Sequence, residues 1–129
     1  MSDEALPAEL AAFLRGEVRG ADFRHADHVR VGFEMLRRHP FLDAASAFAA
    51  GLKGIAARAG HSGAYHETIT IAFLALIAER SAAAPHADFP AFAAANGDLL
   101  EKGVLSRWYA PDRLASAIAR RTFILPDPR

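Results

Sequence analysis

A chain of 129 residues, 52% hydrophobic and 23% charged, carries enough apolar side chains for one core and too few residues for two; this excludes a disordered chain and predicts a single domain over 1–129. Fifteen basic residues balance fifteen acidic ones, so no net field draws the protein to nucleic acid or to an anionic membrane. The absence of cysteine excludes disulfides, thiolate nucleophiles and Cys-based zinc sites, leaving nitrogen and oxygen to hold any metal.

The acidic opening Met1-Ser2-Asp3-Glu4 lacks the basic region and apolar stretch of a signal peptide. No run reaches the roughly 18 apolar residues of a membrane span, so the expectation is a soluble cytoplasmic protein. Proline and glycine punctuation divides the chain into about five or six helices, and no segment shows the alternation of a strand. The predicted fold is an all-α bundle.

Pro7 and Gly16 bracket a first short helix, 7–15, expected to pack through Leu10, Phe13 and Leu14. A second begins between Asp22 and His25 and runs to His39, where Pro40 stops it. Asp27 in its first turn and Arg37 and Arg38 in its last suit the helix dipole. Gly32 in mid-helix implies the close approach of a neighbour. The third helix runs from Pro40 to Arg58, with Gly60 as its stop and Leu42, Ala45, Phe48, Leu52 and Ile55 as its apolar stripe.

His61-Ser62-Gly63 reads as a tight loop, with a serine to cap the next helix, Tyr65–Ala83. That helix is apolar on most sides and is expected at the centre. Phe89 to Asn96 forms a short helix, Asp98 to Lys102 adds a turn before Gly103, and Pro111 opens a last helix through Leu114 and Ile118 to Arg121. Trp108 and Tyr109 should plug one end of the bundle. Residues 1–6 and the proline-containing end, 124–129, are expected to be extended.

Chemistry concentrates in the histidines. His25 and His28 stand three residues apart, so they share a helix face. His66 belongs to the inward face of the fourth helix. Three imidazoles with an open fourth position make the pattern of a catalytic mononuclear metal site, for which a divalent transition metal, zinc or iron foremost, is the expected cofactor. Glu67, beside His66, is the candidate ligand or acid–base group; Asp27 is a second carboxylate, already explained by the helix dipole. The leading expectation is a metal-dependent enzyme acting on a small molecule by hydrolysis, isomerisation or oxidation.

A single inward histidine is more often a hydrogen-bonded core residue, and joining His66 to the other two depends on how the second and fourth helices pack. Two readings compete with the metal site. One is a non-catalytic pocket whose histidines hydrogen-bond a small ligand or respond to pH, with Arg80 as anion anchor; His61, five residues before His66, is a candidate further ligand or gate of the metal site. Arg80 is also placed to reach an internal acid such as Glu34, and its plainer reading is a helix-end arginine that extends its head to water. The other is an interaction domain whose apolar tail, Phe123-Ile124-Leu125, docks on a partner or on a second copy to make a homodimer.

Phe23-Arg24-His25-Ala26-Asp27-His28-Val29-Arg30, Tyr65-His66-Glu67-Thr68-Ile69-Thr70 and Ala119-Arg120-Arg121-Thr122-Phe123 with Pro126-Asp127 resemble a family of small, uncharacterised bacterial helical proteins over most of the chain. The resemblance implies no reaction or substrate. The histidine spacing differs from that of DinB-like thiol-transferase bundles, and the chain lacks the adjacent His-Asp pair of phosphohydrolases.

Overall fold

The computed structural model describes residues 7–128. Among them are seven α-helices and no strand: α1 (Ala8–Leu14), α2 (His25–Arg38), α3 (Phe41–Arg58), α4 (Glu67–Ala83), α5 (Phe89–Ala95), α6 (Pro111–Leu114) and α7 (Ala117–Arg121). Short 3-10 turns occupy Gly20–Asp22, Ser62–Ala64, Gly97–Leu100 and Lys102–Arg107. No helix among the described residues is long and apolar enough to cross a membrane.

Two helices form the middle layer. α2 turns Val29 and Phe33 to one side and Val31 and Met35 to the other, all at most 2% exposed. α4 does the same with Phe73, Leu76 and Ile77 on one side and Leu74 on the other. One core cluster lies between this pair and the C-terminal third, through Phe89, Phe92, Leu99, Val104, Leu105 and Tyr109. A second lies between the pair and α1 and α3, through Leu10, Phe13, Ala44, Phe48 and Ile55. A helix with neighbours on both sides must be apolar on most of its surface, which is the pattern read in α4.

Small residues set the spacing. A Cβ added at Gly32 would stand 3.1 Å from Ile77 and 3.2 Å from Leu74, so the absence of a side chain lets α4 close on α2, as the mid-helix glycine predicted. Gly51 of α3 makes room for the Phe13 ring, which would overlap a Cβ there. That ring also packs on Phe23 and Phe48. Leu14 and Leu42, expected to pack inward, are instead 46% and 78% exposed. Gly16 and Gly60 take φ of 72° and 77° just beyond α1 and α3, the left-handed conformation that ends a helix at low cost only with glycine.

The C-terminal third departs from the sequence reading in two places. The 3-10 turn Lys102–Arg107 runs through Gly103 instead of stopping there. The last helix is broken into α6 and α7, because the Leu114 carbonyl accepts a hydrogen bond from the His66 ring at 2.7 Å, and Ser116 starts α7 by accepting the Ala119 amide. The tail is extended, as expected, but it is pinned to its own chain. Thr68, fully buried, donates to Thr122 O and accepts the Ile124 amide; Tyr109 donates to Ile124 O; Arg113 donates to Leu125 O and pairs with Asp127. These bonds hold the Phe123-Ile124-Leu125 segment on the bundle, and Ile124 packs against the first core cluster.

Arg80 is engaged in the same third. It donates to both carboxylate oxygens of Asp98, at 3.0 and 2.8 Å, and to Asn96 at 2.9 Å. Its hydrogen bonds, with that of Arg107, hold the Asp98 carboxyl well below the usual carboxylate range. Glu34, the internal acid considered for Arg80, pairs with Arg38 and Arg37.

The two glycines of α3 separate helix propensity from packing. Gly51→Ala should gain about 1 kcal/mol of propensity and lose about 1–3 kcal/mol by displacing Phe13, a net destabilisation in urea denaturation. Gly54→Ala meets only the flexible end of Arg58 and should be neutral or stabilising. Equal effects at the two positions would contradict this account of how α1 is seated.

Candidate functional site

Both helices of the middle layer begin at one half-open cavity of about 1270 Å³, bordered by α2, α3, α4, the turns before α2 and α4, and Lys102. That is roomy beside the roughly 300–1,000 Å³ of most small-molecule sites. Phe48, Leu52 and Ile55 of α3 face Ile69, Phe73 and Ile77 of α4 across it. His25, His28, His61 and His66 all line it, as do Arg24, Tyr65 and Lys102. The sequence therefore picked out residues that do share a cavity, but it did not anticipate how differently they are used.

His66 is a structural residue. It is the N-cap of α4, and its Nδ1 accepts the Ile69 amide at 3.1 Å. Nδ1 is thus unprotonated, and Nε2 carries the hydrogen donated to Leu114 O. Both nitrogens are spent. The capping role assigned in the sequence to Ser62 falls to His66, and Ser62 lies in the preceding turn. The backbone carbonyl of His66 also accepts the Thr70 hydroxyl at 2.8 Å.

His25 and His28 stand on α2 with ring centroids 6.2 Å apart. The Leu99 carbonyl can only accept, so the 3.0 Å contact with His25 Nε2 makes that nitrogen a donor. The His25 ring packs edge-on against Phe73. His28 packs against Phe23 at 4.7 Å and makes no protein hydrogen bond among the described residues. Burial pushes its pKa down to about 4, with the charges of His25 and Lys102 acting in the same direction and Asp27 against them. Asp27 itself accepts the Arg24 amide at 2.9 Å, the capping role that its place in the first turn suggested.

The trio His25, His28 and His66 is therefore not arranged as a three-nitrogen metal centre. Among the described residues no group of three or more His, Asp or Glu side chains is placed to hold a metal ion. The physical reason lies in His66, whose ring joins the start of α4 to the end of α6. Glu67, the proposed acid–base group, does not line the cavity; it accepts the Tyr65 hydroxyl at 2.6 Å. Burial, and next the hydrogen bond to Glu67, push the Tyr65 phenol above its ordinary range.

Sequence reasoning missed Lys102, Phe23 and the α3 wall. Lys102 is 74 residues from His28 and enters the cavity through an irregular 3-10 turn, for which no periodic signal exists. The α3 wall was visible as an apolar stripe, and nothing in the stripe distinguishes residues that touch another helix from residues that face a void. Compared with models of known families, with curated proteins and with solved structures, the chain matches none.

Two measurements check these assignments. His66→Ala should destabilise the protein by about 2 kcal/mol, from the lost cap and the lost bond to Leu114. His66→Asn should recover part of that by capping α4, so equal losses for both variants would contradict the dual role. His28 makes stability depend on pH. Its folded pKa lies below the ordinary 6.5, so the unfolded chain takes up the proton first; stability is full above about 6.5 and falls as the pH drops to about 4. The loss from this group is on the order of 3 kcal/mol, and His28→Gln should flatten that part of the stability profile.

Proposed function

We propose that this chain is a small-molecule-binding protein, with the apolar body of its ligand between α3 and α4 and a polar atom of the ligand hydrogen-bonded to His28. The observation that carries this reading is a large cavity with mainly apolar walls that holds a half-buried imidazole with no protein hydrogen bond. A half-buried imidazole with no protein partner is free to exchange water for a ligand atom, and a hydrogen bond made in such an apolar setting orients the ligand.

Binding is favoured over catalysis by the chemistry of the available groups. General base catalysis is most effective with a pKa near the working pH, and a ring pushed down to about 4 is a weak base there. It is well suited to stay neutral and to donate and accept hydrogen bonds. A three-histidine zinc or iron enzyme would need His66 to leave both of its present partners, a loss that binding of the metal would have to offset.

The reading is tested with the fluorescent apolar probe N-phenyl-1-naphthylamine and with Ala56→Phe, which places a ring into the cavity from its α3 wall. The native protein should show saturable probe emission near one site per chain. The variant should keep its thermal midpoint and lose the emission. Unsaturable emission, or emission unchanged in the variant, would overturn the proposal.

A further inference from the structure

The chain as a whole is neutral, with fifteen charges of each sign, yet no aspartate or glutamate lines the cavity. Every ionisable side chain there is a histidine, a tyrosine, an arginine or a lysine. Tyr65 and His66 are committed to protein partners. Arg24 and Lys102 take part in no ion pair among the described residues. Both are exposed, so their heads stay in water while they border a pocket of low polarity. The nearest acid, Asp27, acts on His28 electrostatically, but its carboxylate is turned to the Arg24 amide and does not line the cavity.

The charges are also segregated in space. Arg24, His25 and His28 sit at the start of α2, and Lys102 lines the same cavity from the turn just after Leu99, whose carbonyl the His25 ring engages. Apolar side chains of α3 and α4 make most of the remainder, together with His61, Tyr65, His66 and Thr70 before and in the first turn of α4. One end therefore favours negative charge and hydrogen-bond acceptors, and the walls elsewhere are mainly apolar. Resting on the reading that the cavity binds a small molecule, we infer that its ligand is an amphipathic monocarboxylate: the carboxylate lies between Arg24, Lys102 and the His25/His28 pair, and an alkyl or aryl body fills the space between α3 and α4. A neutral molecule of the same shape would leave the two cations unused. An ammonium would meet their repulsion.

Three compounds with one tail isolate the head group: decanoate, decan-1-ol and decylamine, each titrated at pH 7.5 against bound N-phenyl-1-naphthylamine. Decanoate should displace the probe at least about ten-fold more tightly than decanol, and decylamine should be weakest. The double variant Arg24→Gln/Lys102→Gln changes only exposed side chains. It should bring decanoate to the affinity of decanol, a loss at least several-fold larger than any change in the affinity for the neutral probe. Added salt should narrow the preference for decanoate in the native protein, as expected for charges near the surface. Decanol binding as well as decanoate, or a double variant with an undiminished carboxylate preference, would overturn the inference and leave the binding reading intact. Failure of the probe and all three compounds to bind saturably would overturn both.

Discussion

The His66 ring is the tie on which the arrangement of this molecule depends. One nitrogen accepts an amide at the start of α4 and the other donates to the carbonyl at the end of α6, so a single side chain both begins the central helix and stops a distant one. Two positions later, Thr68 repeats the device by bonding twice to the tail. The segment Tyr65 to Thr70 is therefore a fastener between the middle layer and the C-terminal third. It works because each polar atom that is removed from water finds a defined partner, the condition under which burying it is tolerable.

From that constraint the cavity follows. α4 is held at its first turn by α6 and the tail, and further along it is drawn against α2 at Gly32. The two core clusters meet around this pair. At its N-terminal end the wall residues include Gly20, Ala21, Ala26, Ala56 and Ala59, side chains too small to close the gap between α2 and α3. The histidines consequently divide by role. His66 is consumed by the architecture, His25 is half engaged through Leu99, and His28 packs on Phe23 beside the His25 ring and makes no protein hydrogen bond among the described residues.

The helices were legible in the sequence because proline, glycine and apolar spacing act locally. Pro40, Gly16 and Gly60 end or begin elements where expected, and the run from Ile69 to Ala78 announced the central helix. The break between α6 and α7 was not legible: the cause, His66, lies 48 residues from the carbonyl it engages. The same applies to the site. Helix phase placed His25 and His28 together correctly, since three residues along one helix is a local relation. It placed His66 on the inner face of α4 as though the residue were inside the helix, whereas the extended backbone of an N-cap turns the ring toward α6 instead. Arg80 shows a similar limit. The sequence offered it as an anion anchor, but Asp98 and Asn96, brought over by the end of α5 and the 3-10 turn after it, claim it.

The central claim is that one histidine maintains the fold and another meets the ligand. Side-chain nitrogen NMR of uniformly labelled protein tests it directly, during titration with decanoate. The account predicts that His66 shows a single Nε2–H tautomer throughout and keeps its shifts, while the His28 ring shows the largest change of any histidine. A His66 ring that titrates with the ligand, or a His28 ring that is silent while the cavity fills, would contradict it.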